Sequence, residues 1–241
     1  VVGPLWRGVA GMRQWAGWSI PVQAGNYWVC PTWHPHHVAE ADHPVMKIQH
    51  EAHLAAALEH TARPWDTVPD WRQDVHVELS PTAAAAWLRE LTARGTGVVA
   101  VDYETTALKP EGDYARIVAA AVAWGDNGHP VQTMAFPWHG AAVGAMSGLL
   151  RSPIPKIAAN LKFEDRWTRA ALGHRVRGWC WDTMLAAHVD DPRPGITSLK
   201  FQAFVRLGMP PYNTDIEPYF KSLPGQPNRV VEIPVRDLLT Y

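Results

Sequence analysis

Cysteine is scarce in this chain: Cys30 and Cys180 are the only two among 241 residues. Two thiols so far apart make neither a disulfide framework nor a four-ligand zinc ribbon, and a reducing, cytoplasmic setting is the simpler expectation. Long apolar runs are also missing. No stretch approaches the roughly 18 consecutive apolar residues of a membrane-spanning helix, and no charged-then-apolar leader opens the chain, so neither a membrane span nor secretion is expected. An excess of one charge is absent too, since 22 Lys and Arg nearly balance 23 Asp and Glu, for a formal net charge of −1. That disfavours a protein that tracks duplex grooves electrostatically, but it leaves open a nuclease whose bound cations meet the phosphates. The chain lacks an initiator methionine and opens in mid-pattern with VVGPLWRGVAGM, so it reads as a fragment at this end.

What is present is a globular composition, 47% hydrophobic and 19% charged, sufficient for one large domain or two small ones. In the first part, residues 5–17 read as a short helix and 26–31 (NYWVCP) as a buried strand. Residues 45–60 read as a helix with apolar positions at Ile48, Ala52 and Ala56. PTWHPHHVAEADHP, between strand and helix, reads as a loop. Its histidines, His34, His36, His37 and His43, match no zinc template, because no cysteine or carboxylate falls at ligand spacing. Residues 63–74 carry prolines and tryptophans without a sustained period and read as a linker.

From residue 75 the pattern changes. Val75 to Leu79 alternates as a half-exposed edge strand, and Ser80 with Pro81 begins a helix that ends near Gly95. Then comes GVVAVDYETTAL, in which the apolar strand Val98 to Val101 runs into Asp102 and Glu104. Successive strand side chains alternate faces, so these two carboxylates point the same way, about 7 Å apart at the backbone. Residues 116–124 and 131–136 form a hairpin-like pair, and 156–159 and 179–182 read as further strands alternating with helices. The expectation is an α/β fold, a mixed five-stranded sheet with helices on its faces.

A second acidic pair lies in NLKFEDRW, residues 160–167, at the start of a helix. At 100° per residue Asn160 and Glu164 share one face, while Phe163, Trp167 and Ala170 form the expected apolar stripe. Asp165 points further round and is the alternative to Glu164. Asp182 reads as the cap of the helix that follows it. Arg166, Arg169 and Phe201 are open between nucleic-acid contacts and, respectively, a solvated face and core.

Two resemblances attach to these motifs. PTWHP after a strand is similar to the second active-site motif of uracil-DNA glycosylases, His-Pro-Ser, with His34 and Pro35 matching and His36 in place of the serine. It covers residues 1–62, a small α/β fragment like the end of that fold, whose glycine-rich first motif would lie before Val1. It implies that His34 hydrogen-bonds a departing uracil anion.

Residues 75–241 resemble the DnaQ-like 3′-5′ proofreading exonuclease domain of family A, phage-type DNA polymerases, which has a ribonuclease-H-like fold. Asp102 and Glu104 match the first motif, Asp-x-Glu, continuing through ETTAL to Leu108. Asn160 and Phe163 match Asn-x-x-Phe-Asp, with Glu164 where aspartate is usual. Tyr241 matches the tyrosine of Tyr-x-x-x-Asp, whose aspartate would fall four residues further on. The resemblance implies two divalent ions, Mg2+ or Mn2+, held by Asp102, Glu104 and Glu164, with Tyr241 positioning the attacking water. It also implies substrate contacts from Thr105, Leu108 and Asn160, a single-stranded DNA 3′ end as partner, and a polymerase domain downstream. An exoribonuclease of the same fold and a catalytically silent nucleic-acid-binding domain are the alternatives.

Overall fold

The computed structural model describes residues 11–23, 27–62, 75–126, 129–209, 215–222 and 226–241. The segment read as a linker, 63–74, and the first half of the helix expected over 5–17 lie outside them. The chain divides into two compact units, Val1–Pro69 with Met184–Tyr212, and Asp70–Thr183 with Asn213–Tyr241.

The first unit starts with α1 (Met12–Trp15), β1 (Ile20–Val22) and β2 (Tyr27–Val29), the strands pairing antiparallel, followed by α2 (Pro35–Ala41) and α3 (Pro44–His60). Helix α2 occupies part of the segment expected to be a loop. His34 supplies the cap, its Nδ1 accepting the N–H of His36 at 3.2 Å, and Pro35 takes the first helical position, where its missing N–H costs nothing. Helix α3 also departs from its expected stripe, since Ile48 is 65% exposed. Ala52 is exposed too, whereas Ala56 is half-buried as expected, on a face that it shares with Met46, His50, His53, Ala57 and His60. Polar partners draw the histidines inward: the Thr32 hydroxyl lies 3.2 Å from His50 Nδ1 and 3.3 Å from His53 Nδ1, and Trp28 stacks on His60.

The second unit is built on a six-stranded sheet. Its elements are β3 (Val75–Val77), α4 (Pro81–Arg94), β4 (Val98–Thr105), β5 (Ile117–Asp126), β6 (His129–Pro137), α5 (Ala141–Arg151), β7 (Lys156–Ala158), α6 (Leu161–Leu172) and β8 (Trp179–Asp182). The strand order is β3-β6-β5-β4-β7-β8. The meander β4-β5-β6 is antiparallel, and β7 and β8 add in parallel on the β4 side, which is the ribonuclease-H-like arrangement. A sixth strand joins the expected five because β3 pairs parallel to β6.

Ser80 Oγ accepts the N–H of Ala83, and Gly95, at φ 70°, closes α4. Leu88 and Leu91 of α4 and Met146, Leu149 and Leu150 of α5 then pack on Val99, Val101, Val122 and Phe136. The chain continues through α7 (Thr183–Asp190) and α8 (Leu199–Leu207) to α9 (Glu217–Phe220) and α10 (Val235–Thr240). Val230, Ile233, Leu238 and Leu239 of the last segment cluster with Ala119 and Ala135 of the sheet. Phe201 of α8 is fully buried with Trp15, Ile20 and Phe204 in the first unit, so it is a packing residue.

Lys156 of β7 is also fully buried. Its Nζ donates to the Ser152 carbonyl (2.9 Å), the Ser152 hydroxyl (3.2 Å) and the Ile154 carbonyl (2.8 Å). Burial pulls its pKa down to about 8. Among the described residues no helix is long and apolar enough to cross a membrane.

Candidate active site

Alternation along β4 decides where its acids go. Val99, Val101, Tyr103 and Thr105 are buried, which leaves the exposed Asp102 and the half-buried Glu104 together on the other side of the strand. Beyond Thr105 the loop is tied down. Thr105 Oγ1 donates to the Ala107 carbonyl at 2.7 Å, and Thr106 Oγ1 to that of Tyr114 at 2.7 Å. Asn228, from the C-terminal segment, donates Nδ2 to the Thr105 carbonyl and its backbone N–H to the Thr106 carbonyl, both at 2.9 Å. Leu108, in this loop, is 84% exposed.

Helix α6 brings the second set of acids. Its start is held by Asp182, the last residue of β8, whose two carboxylate oxygens accept the N–H groups of Asn160 and Leu161 at 3.0 Å each. Asp182 therefore caps the start of α6, a role across the sheet that its position before α7 does not reveal. Asn160 makes the turn into the helix at φ 67°, a left-handed conformation that asparagine tolerates better than most residues. Thr168 hydrogen-bonds the buried Tyr103 hydroxyl at 3.0 Å, tying α6 to β4. The tyrosine pKa is raised by burial and, further, by the nearby Glu164 charge.

Glu164 lies one turn before Thr168 on the same face and is 2% exposed. The inner face of α6 thus carries Glu164, Asp165, Trp167 and Thr168, whereas Ala170, expected to face inward, is exposed. Glu164 Oε2 is buried without a hydrogen-bond partner among the described residues. Burial foremost, then the charges of Asp102 and Asp182, push its pKa up to about 9. Three acids from β4, α6 and β8 are therefore close enough to feel one another. Asp182 was not among the expected site residues, and the signal for it was an acid ending an apolar strand next to the one that precedes Glu164.

Asp165 is engaged elsewhere. Its Oδ2 accepts from Arg169 Nε at 2.9 Å, and its Oδ1 accepts the Val176 N–H at 3.1 Å. Its pKa is lowered, burial being outweighed by these bonds and by the Arg169 charge. Tyr241 is half-buried and packs on Phe220, with ring centroids 5.5 Å apart. His34 belongs to the first unit, where it caps α2.

Among the described residues no three His, Cys, Asp or Glu side chains stand together as a metal-ligand group. The donor chemistry still fits a hard divalent ion. An orphaned buried carboxylate oxygen set against a second carboxylate is costly unless a proton or a cation joins it, and Mg2+ takes carboxylate oxygens while keeping much of its water.

No family model matches the sequence, and no curated protein matches it. Among solved structures, the chain is similar to a nuclease in its apo form, with 18% identity and a TM-score of 0.47 over 69% of this chain and 75% of that one. It is similar to Escherichia coli RNase D, an exoribonuclease of structured RNA processing, with 14% identity and a TM-score of 0.46 over 69% of this chain and 42% of that one. It is similar also to the POL domain of Pol1 from M. smegmatis in complex with DNA primer-template and dNTP, with 24% identity and a TM-score of 0.44 over 56% of this chain and 23% of that one.

Proposed function

We propose that residues 75–241 form a metal-dependent 3′-5′ exonuclease domain that removes nucleotides from the 3′ end of DNA, as the proofreading module of a DNA polymerase. The observation that carries this reading is the buried Glu164, whose oxygen lacks a partner while Asp102 and Asp182 raise its proton affinity. A fold stabilised for its own sake would place a neutral side chain there.

Asp102, Glu104 and Glu164 would hold the ions, and Asp182, by fixing the start of α6, keeps Glu164 in place. Two Mg2+ or Mn2+ ions bound there would supply Lewis acidity to a phosphodiester and depress the pKa of nearby water. Glu164, protonated on its own near neutral pH, would have to give up that proton to hold a cation. Hydrolysis breaks the bond between phosphorus and the 3′ oxygen. Water supplies the new oxygen on phosphorus and, in the end, the proton on the departing hydroxyl. Tyr241 positions the water. The exposed Leu108 offers an apolar surface to the terminal base, a contact that reads no sequence. The glycosylase likeness of residues 1–62 enters no step, since His34 is occupied as a helix cap.

The test is Mg2+-dependent release of mononucleotides from a 3′-labelled single strand by the full-length protein, on DNA and RNA in parallel. Release from DNA that Asp102→Ala abolishes is the expected result. Equal release by Asp102→Ala overturns the reading, and release from RNA alone moves it to an exoribonuclease.

A further inference from the structure

The face of α6 opposite Glu164 carries a different chemistry. Lys162, Arg166 and Arg169 are spaced four and three residues apart, so they form one stripe along the outer side of the helix. With Pro110, Glu111, Asp165 and Ala170 they line an open groove of about 590 Å3. The opposite wall belongs to the loop that leaves β4, and Glu111 stands three residues beyond the exposed Leu108.

We propose that this groove is a binding track for the phosphodiester backbone of a single strand, lying upstream of the 3′ end that the carboxylates address. The proposal deepens the exonuclease reading and rests on it for the direction of the strand. Asp165, at 8% exposure, is neutralised by Arg169 and the Val176 N–H, so it does not repel an anion strongly. Arg166 is held by Glu111 through Nε at 2.8 Å and through Nη2, a pair that spans the two walls of the groove. Lys162 makes no ion pair among the described residues. The three cations against two carboxylates leave the lining at +1, and one helical turn, about 5.4 Å, separates neighbouring cations. That spacing suits successive phosphates of an extended strand. The apolar faces of Pro110 and Ala170 suit its sugars.

A solvated charged stripe would have the same composition, but it makes a different prediction for Glu111. Here Glu111 competes with phosphate for Arg166, so removing it strengthens binding. The experiment is fluorescence anisotropy of a 3′-blocked single-stranded oligonucleotide with the full chain, without divalent ions, across a salt series. Glu111→Ala binds about threefold tighter, the scale of one exposed ion pair released. The double variant Lys162→Ala/Arg166→Ala binds roughly tenfold more weakly at low salt, with the salt slope reduced by about 1.4 for two lost contacts to a single strand. A misfolded protein would not tighten, so the Glu111 result separates the groove from loss of structure. An unchanged affinity in either variant, or no binding by the wild type, overturns the groove. If these affinities hold while the wild type releases no nucleotides with Mg2+, the exonuclease reading falls and the groove stands. If nucleotides are released but the affinities do not move, the groove alone falls.

Discussion

Asp182 and Asn160 lie on different strand ends, 22 residues apart, and the carboxylate of the first accepts the backbone N–H of the second at 3.0 Å. The other oxygen of Asp182 accepts from Leu161, so one side chain satisfies two of the amides that open α6. The bond joins β8 to the helix that presents Glu164, and it sets a second negative charge beside that residue.

Asp182→Ala removes both acceptors and leaves two partly buried N–H groups unpaired. The expected loss is about 1–3 kcal/mol, read as a lower urea midpoint with an unchanged slope. Mg2+-dependent exonuclease activity falls further than global stability does, because the first turn of α6 loosens at Glu164.

Glu164→Gln separates stability from function. The folded pKa is about 9 against an ordinary 4.5, so between these values the folded metal-free protein binds a proton that the unfolded chain does not. Stability contributed by this group is present below about pH 4.5 and is lost as pH rises through 9. Thermal unfolding of the metal-free proteins from pH 5 to 9 should show the wild type losing stability relative to Glu164→Gln. At pH 8 the variant is the more stable of the two, yet it has no nuclease activity.

Metal binding should release protons. At pH 8 Glu164 is protonated in the metal-free protein and ionised where its carboxylate holds an ion, so titration with Mg2+ releases roughly one proton, measurable by calorimetry in buffers of differing ionisation enthalpy. Asp102→Asn removes one of the charges that raise the Glu164 pKa, so proton release shrinks, and activity falls by an expected factor of about 1,000, the scale of a lost electrostatic contact to the transition state.

Lys156→Met tests the buried ammonium. The folded pKa of about 8 lies below the ordinary lysine value of 10.5, so the unfolded chain binds more protons between these values and wild-type stability rises with pH across that window. The gain approaches about 3 kcal/mol, and Lys156→Met lacks it. Near pH 7 the substitution costs about 1–3 kcal/mol, because the Ser152 and Ile154 acceptors lose their donor.

Much of the second unit could be read in advance. The strands of the meander are apolar runs parted by a turn-rich segment, and Ser80, Pro81 and Gly95 mark both ends of α4 by local chemistry alone. Helix α2 was hidden because its cap is a histidine and its sequence is rich in the residues of loops. Of the inward face of α3 only Ala56 was legible, because its histidines are held by Thr32 and Trp28, partners that no periodicity can reveal.

The sequence by itself determined that Asp102 and Glu104 share a face, because the strand period of two leaves no other outcome. It also determined that an acid-bearing helix follows the fourth strand of the sheet. Only the tertiary structure decided what those acids meet: Glu164 buried against the charges of Asp102 and Asp182, Asp165 taken up by Arg169 and Val176, and the outer face of α6 turned toward the loop beyond Leu108. The first of these outcomes depends on sheet order and helix placement, which bring Asp102 and Asp182 to Glu164 from different strands. Local propensity carries no information about such contacts.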